Sequence, residues 1–213
     1  MRFNNKQIII ATKNSGKVRE FADMFAKVGL SVRSLHDVPN MPEIVEDGET
    51  FLANAEKKAR TIARAAGIPV LADDSGLRVD LLDGAPGVYS ARFAGEHATD
   101  RDNNEKLLDE LRKKRHGKPA ANPQDAPVTL LSPAQYVCAL VLYDPAEGNS
   151  LRVEGECSGY IIAEPRGHNG FGYDPYFYVP EYGMTMAELA PEVKNAISHR
   201  GKALRRMLES LEI

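Results

Sequence analysis

The stretch Val70-Leu71-Ala72-Asp73-Asp74-Ser75-Gly76-Leu77 decides how the rest of the chain is read. Three apolar residues open it in the manner of a buried strand. Two adjacent carboxylates, a hydroxyl and a glycine follow. The pattern predicts a strand that stops at Ala72 and a polar loop at its carboxyl end, where open α/β sheets hold their ligands. Neighbouring acids repel each other unless a cation or basic side chains lie close by. The loop is therefore either a carboxylate pair serving a metal or basic groups at a cleft, or an ordinary turn, for which Asp, Ser and Gly are common residues. The stretch alone leaves both open.

Upstream, Ile8-Ile9-Ile10-Ala11 reads as a second buried strand, apolar and mostly β-branched. A polar loop follows: Thr12, Lys13, Asn14, Ser15, Gly16 and Lys17. A helix from Val18 then places Val18, Phe21, Met24, Phe25 and Val28 on one face and stops at Gly29. This order of strand, glycine-containing loop and helix aims backbone N–H groups and a positive dipole end at an anion. The two lysines favour phosphate. It is not a P-loop, because Ala11 and Val18 stand where that motif needs Gly and Ser or Thr. A strand over 30–35 and an irregular acidic stretch with Glu43, Glu46 and Asp47 come next. Thr50 caps a helix whose apolar stripe runs from Phe51 to Ala66 and closes at Gly67. Its other side, with Asn54, Lys57 and Lys58, reads as a solvated face.

Downstream, Leu77, Val79 and Leu81 alternate with polar residues as in a half-buried strand. Thr99 and Asp102 form a capping box for a helix carrying Leu107, Leu108 and Leu111. Residues 113–134 combine a basic run with four prolines and read as a solvated surface insertion. Residues 136–143 are a fully buried strand. A turn and a second, alternating strand follow, which makes the sheet mixed. Residues 167–175 are a second glycine-rich loop, in which Phe171 and Tyr173 offer flat apolar surface suited to a ring. Thr185 and Glu188 resemble a capping box for a short helix around Leu189. The last helix starts near Ser198, with Lys194, His199 and Arg200 about its beginning. Cations gain nothing from the dipole at a helix start, so an anion is expected opposite them.

The chain has 213 residues, a net charge of −3 and 43% hydrophobic residues, the balance of a soluble globular protein. Nothing in the bulk charge points to nucleic acid or a membrane. Cys138 and Cys157 lie in strand-like runs and read as reduced core residues. The polar N-terminus and the short apolar run after it fit neither a signal peptide nor a membrane span, so a cytoplasmic protein is expected. Zinc spacing is not seen, nor is a Ser/His/Asp signature. The inventory is three basic groupings (Lys13/Lys17, Lys57/Lys58, Lys194/His199/Arg200), the acids Glu46 and Asp73/Asp74, and an aromatic glycine loop. A nucleoside triphosphate needs this set. Mg²⁺ takes one or two carboxylates and keeps several waters, so Glu46 with one Asp of the pair would suffice.

Five blocks carry a family resemblance: ATKNSGKVREF from Ala11, FLANAEKKA from Phe51, ADDSGLRVDLLDGAPGVYSARFAG from Ala72, GFGYDPYF from Gly170 and AISHRGKAL from Ala196. In this order they resemble the inosine triphosphate pyrophosphatases, also called dITP/XTP pyrophosphatases. Lys13 stands where that family often has Gly, and 113–134 lies outside the matched blocks. The resemblance implies one pyrophosphatase domain over 1–213, built as a long twisted mixed β-sheet flanked by helices, with two lobes around a central cleft. It implies Mg²⁺-dependent hydrolysis of ITP, dITP and XTP to the monophosphate and pyrophosphate, cleansing the nucleotide pool, and a homodimer. Carried over by position, Thr12, Lys13, Asn14, Ser15, Gly16 and Lys17 bind substrate phosphates. Asp74 is the proton acceptor and a metal ligand, and Glu46 is a further metal ligand. Ser75, Phe171, Gly172, Tyr173, Asp174, Lys194, His199 and Arg200 contact substrate. A non-catalytic nucleotide-binding regulatory module, or a pyrophosphatase for other modified nucleotides, would use the same groups. The acid pair opposes the regulatory module, since it repels a polyphosphate unless a metal intervenes.

Overall fold

The structure, a computed structural model, describes residues 7–115 and 128–211. Seven strands form one mixed sheet in the order β2-β1-β3-β4-β5-β6-β7. They are β1 (Gln7–Ile10), β2 (Ser31–Ser34), β3 (Val70–Val79), β4 (Leu130–Asp144), β5 (Asn149–Ile162), β6 (Phe177–Val179) and β7 (Met184–Thr185). β1 runs parallel to β2 and β3, as strands joined by crossover helices must. β5, β6 and β7 pair antiparallel. The helices are α1 (Ser15–Ala26), α2 (Phe51–Ala66), α3 (Asp100–Arg115), α4 (Pro191–Ile197) and α5 (His199–Glu209). No helix among the described residues is long and apolar enough to cross a membrane.

The chain divides into two compact units, and β3, β4 and β5 each contribute residues to both. The first comprises residues up to Asp74, Cys138–Gly155 and the segment from His199 onward. Its core sets Phe21 and Phe25 of α1 and Ala203, Leu204 and Met207 of α5 against Ile8, Ile10, Leu71, Cys138 and Leu140. The second comprises Ser75–Val137 and Glu156–Ser198. There Leu107 and Leu111 of α3 pack with Leu77, Val79, Phe177 and Met186.

Four expectations change. The acid pair does not follow a strand; β3 runs unbroken from Val70 to Val79, and Asp73 and Asp74 lie inside it, both buried. The helix after the first loop begins at Ser15 rather than Val18, because the Asn14 side chain caps it by accepting the Lys17 N–H at 3.1 Å. Within the span 113–134 the described ends are regular: α3 continues through Arg115 and β4 already contains Leu130 to Ala134, while 116–127 lie outside the described residues. The helix expected near Leu189 is a turn. Thr185 N–H does bond Glu188 Oε2 at 2.8 Å, but helix α4 starts only at Pro191.

Candidate active site

Successive side chains of a strand point to opposite faces. Asp73 shares the Leu71 face of β3, where α1 and α5 pack. Asp74 takes the other. Neighbours in sequence therefore meet different surroundings.

Asp73 lies in the first unit with only 1% of its side chain exposed, and two cations meet it. Lys17 Nζ is 2.7 Å and Arg200 Nε 3.6 Å from its Oδ2. Lys58 Nζ donates to its backbone carbonyl at 3.1 Å. Burial acts to raise the carboxyl pKa, but Lys17, Arg200 and Lys58 together hold it well below the usual carboxylate range. Here, then, is an anion facing Arg200 at the start of α5, as its placement against the helix dipole required.

Asp74 faces α2. Asn54 and Lys58 stand one helical turn apart there and reach the same region. Asn54 Nδ2 donates to Asp74 Oδ2 at 3.0 Å, and Asn54 Oδ1 accepts the Gly48 N–H at 2.7 Å. Lys58 Nζ forms an ion pair with Glu46 at 2.5 Å. The irregular stretch that carries Glu46 is thus pinned to α2 at these two points and by the exposed Lys57–Asp47 ion pair. Burial pushes the Asp74 carboxyl up, to about 6; the Asn54 bond and Lys58 oppose this, while Glu46 and Asp73 add to it. An acid in that condition is suited to accept a proton near neutral pH or to be relieved by a cation.

At the loop before α1, Asn14 N–H bonds Thr12 Oγ1 at 3.1 Å, and the Lys13 carbonyl meets His36 Nε2 at 3.1 Å. These contacts fix the entry to the helix whose first turn holds Ser15, Gly16 and Lys17. Thr12 is half-buried, and Lys13 and Asn14 are exposed.

In the second unit, the 170–174 loop is organised by the Asp174 carboxylate, itself buried. It accepts from the Phe171 N–H at 2.9 Å, Lys194 Nζ at 2.6 Å and Tyr136 Oη at 3.2 Å. Lys194 Nζ also lies 5.3 Å from the Phe171 ring centroid. Gly170, at φ +84°, is required here, since a Cβ would strike the Asp174 carboxylate. Phe171 is 43% exposed. Tyr173 is buried in the core, and its hydroxyl donates to the Ser90 carbonyl at 2.8 Å. Of the two rings expected to offer flat surface, only Phe171 presents it; Tyr173 anchors the loop.

Lys17, Glu46, Asp74 and Arg200 thus belong to one electrostatic group in the first unit, with the phosphate-type loop and half-buried His199 on the same unit. Phe171, Gly172, Tyr173, Asp174 and Lys194 form a second group on the other unit, which also holds Ser75, next to Asp74 in β3. Sequence reasoning missed Asn54, and it counted Asp73 and Lys58 in the inventory without giving Asp73 the holding of cations or Lys58 the pairing with Glu46. Lys58 was expected on a solvated face, yet its side chain is 12% exposed and paired. The i, i+4 spacing of Asn54 and Lys58 beside an acid pair was the available signal. The solvated reading does hold for Lys57, whose partner Asp47 is also exposed.

An α/β protein with a mixed sheet, buried acids interleaved with lysine and arginine, and a phosphate-type loop before a helix belongs to the class that handles phosphorylated small molecules. The chain is a member of the Ham1 family, whose sequence profile matches residues 8–210. A dITP/XTP pyrophosphatase of Geobacillus kaustophilus is 52% identical over 207 residues, covering 97% of this chain and 95% of its own. One from Bacillus cereus is 49% identical over 209 residues, 98% of this chain and 96% of its own. Among solved structures, a HAM1 protein from Coxiella burnetii superposes with a TM-score of 0.82 at 39% identity, over 95% of this chain and 96% of that one.

Proposed function

We propose that this protein hydrolyses non-standard purine nucleoside triphosphates, ITP, dITP and XTP, to the monophosphate and pyrophosphate. The dITP/XTP pyrophosphatase relatives support the activity. The observation that carries the chemistry is Asp74, a buried acid raised to about 6 beside Glu46, in the same group as Lys17, Lys58 and Arg200.

Charge balance supports Mg²⁺ as the cofactor. Glu46, Asp73 and Asp74 offset Lys17, Lys58 and Arg200 one for one, so the group has no positive surplus for a triphosphate. Among the described residues no cluster of three or more His, Cys, Asp or Glu has metal-binding geometry. Mg²⁺ needs no such cage, since it is held by one or two carboxylates, waters and substrate phosphates. Asp74 and Glu46 fit that role, because Asp74 is pressed by the like charge of Glu46 and Asp73, which a cation would relieve. When bound there, the ion would supply positive charge to the polyphosphate oxygens.

The chain's own residues do the rest. Asp74 takes the proton from the water that attacks the α-phosphorus. Lys17 and Arg200, held in place by Asp73, and Lys58 meet the charge that builds on the phosphate oxygens and the departing pyrophosphate. The backbone of residues 12–17 and the start of α1 bind phosphate. Ser75, Phe171, Gly172, Tyr173, Asp174 and Lys194 are assigned to substrate contacts on the family resemblance, Phe171 offering its ring to the base. Hypoxanthine and xanthine carry a 6-oxo acceptor where adenine has an amino donor. A donor from His199 or Arg200 at that edge suits the former and is left unpaired by the latter. A homodimer is proposed on the resemblance alone, and a cytoplasmic setting on the sequence pattern.

The test is turnover of ITP, dITP, XTP, GTP and ATP with Mg²⁺. Preference for the 6-oxo non-standard purines is expected. Equal turnover of ATP and ITP overturns the base selection, and binding without turnover returns the regulatory module.

A further inference from the structure

We infer that Asp100 and Asn104, on the first turns of α3, are positioning residues that set Phe171 for the purine ring. This rests on the proposed function, because it takes Phe171 as a base contact. Gly172, the residue after Phe171, sits at φ +62°. Its N–H donates to Asp100 Oδ2 at 2.7 Å and its carbonyl accepts from Asn104 Nδ2 at 2.8 Å. Both polar groups of one peptide residue are thus held by side chains far away in sequence. Asn104 Nδ2 also donates to the Asp100 carbonyl at 2.7 Å, which ties the two holders together. On the other side, the Phe171 N–H is fixed by Asp174 at 2.9 Å.

Helix capping does not account for these residues. Thr99 and Asp102 cap α3 reciprocally, at 2.8 Å and 3.2 Å. Asn104 is buried, and its Oδ1 has no hydrogen-bond partner among the described residues. A buried acceptor left unbonded works against stability, so the amide stands there for its two donated bonds. Those bonds fix the backbone beneath a phenyl ring that stays 43% exposed. Ordering a loop in order to leave its largest apolar side chain in water makes sense if the ring is a ready surface for a ligand.

The experiment compares Asp100→Ala, Asp100→Asn, Asn104→Ala and Phe171→Ala with wild type in Mg²⁺. It measures kcat and KM for ITP and inhibition by inorganic tripolyphosphate, which has no base. Both Asp100→Ala and Asn104→Ala should raise KM for ITP about tenfold, the factor of one hydrogen bond of ordinary net strength. kcat should hold within about twofold, and tripolyphosphate inhibition should be unchanged. Asp100→Asn keeps an acceptor for Gly172 and should stay near wild type. An unchanged KM, a fall in kcat alone, an equal loss of tripolyphosphate inhibition, or an Asp100→Asn as impaired as Asp100→Ala overturns the inference. If Asn104→Ala does not fold, the two Asp100 variants decide. A wild type inactive on ITP instead overturns the function on which the inference rests, and a Phe171→Ala with unaltered KM overturns the Phe171 base contact and the inference with it.

Discussion

Lys17 Nζ lies 2.7 Å from the carboxylate of Asp73, while Asp74, the next residue, turns to the opposite face of the same strand and meets Asn54. Two acids joined by one peptide bond are thereby driven in opposite directions, Asp73 toward permanent ionisation and Asp74 toward neutrality. Their substitutions should diverge accordingly. Asp73→Asn removes a charged partner from Lys17 and from Arg200, whose side chain is only 6% exposed. It should cost about 3–5 kcal/mol, the range for breaking a buried ion pair from one side. Asp74→Asn keeps an acceptor for Asn54 and removes a buried charge that burial disfavours, so metal-free stability should hold or rise. Urea unfolding of both variants checks this; equal losses would contradict it.

Activity separates the two residues differently. Asp74→Asn cannot accept the proton of the attacking water, and a general base contributes on the order of 10²–10⁴ in rate. kcat with Mg²⁺ and ITP should fall by that factor in a protein whose circular dichroism is unchanged. Near wild-type turnover would remove Asp74 from the mechanism.

The pH dependence of stability follows from the raised Asp74 carboxyl. In the metal-free native protein its pKa is about 6 against an ordinary 3.8, so between these values the native state holds the proton that the unfolded state has lost. The contribution of this carboxyl to stability is greatest below that window and falls as pH rises through it, by on the order of 2–3 kcal/mol. Denaturation in a chelating buffer from pH 4 to pH 7 should show the loss, and Asp74→Asn should flatten it. Added Mg²⁺ at pH 7 should raise the melting temperature of wild type and much less that of the variant.

Gly155 of β5 lies under the start of α5. A Cβ there would strike the His199 carbonyl and stand 2.6 Å from the Ala203 nitrogen. Gly155→Ala should therefore displace the turn that carries His199 and Arg200. Overpacking of this kind costs about 1–3 kcal/mol. Urea unfolding should show that loss, and KM for ITP should rise with it. Unaltered stability and KM would mean that α5 tolerates the shift.

Much of this was legible in the sequence because it rests on local rules. The β-branched run Ile8 to Ile10, the Thr50 cap with Gly67 at the other end of α2, and the Thr99–Asp102 capping box are each short-range patterns, and the structure has them. What escaped was set by tertiary contacts. Asp73 and Asp74 read as a strand end because uncompensated acids do not sit inside a buried strand. They can do so here because Lys17, Lys58 and Arg200 arrive from α1, α2 and α5. Lys58 read as solvated for the same reason: its partner Glu46 lies in a stretch without periodicity. Tyr173 is like Phe171 in composition, and only the core around it shows that one ring is buried and the other exposed.

The account turns on water attacking the α-phosphorus with Asp74 as proton acceptor. Hydrolysis of ITP in water enriched in heavy oxygen tests this most directly, with the products separated and weighed by mass spectrometry. The label should enter the nucleoside monophosphate, with unlabelled pyrophosphate released and the rate collapsing in Asp74→Asn. Label in the pyrophosphate, or release of orthophosphate and the diphosphate, would contradict it.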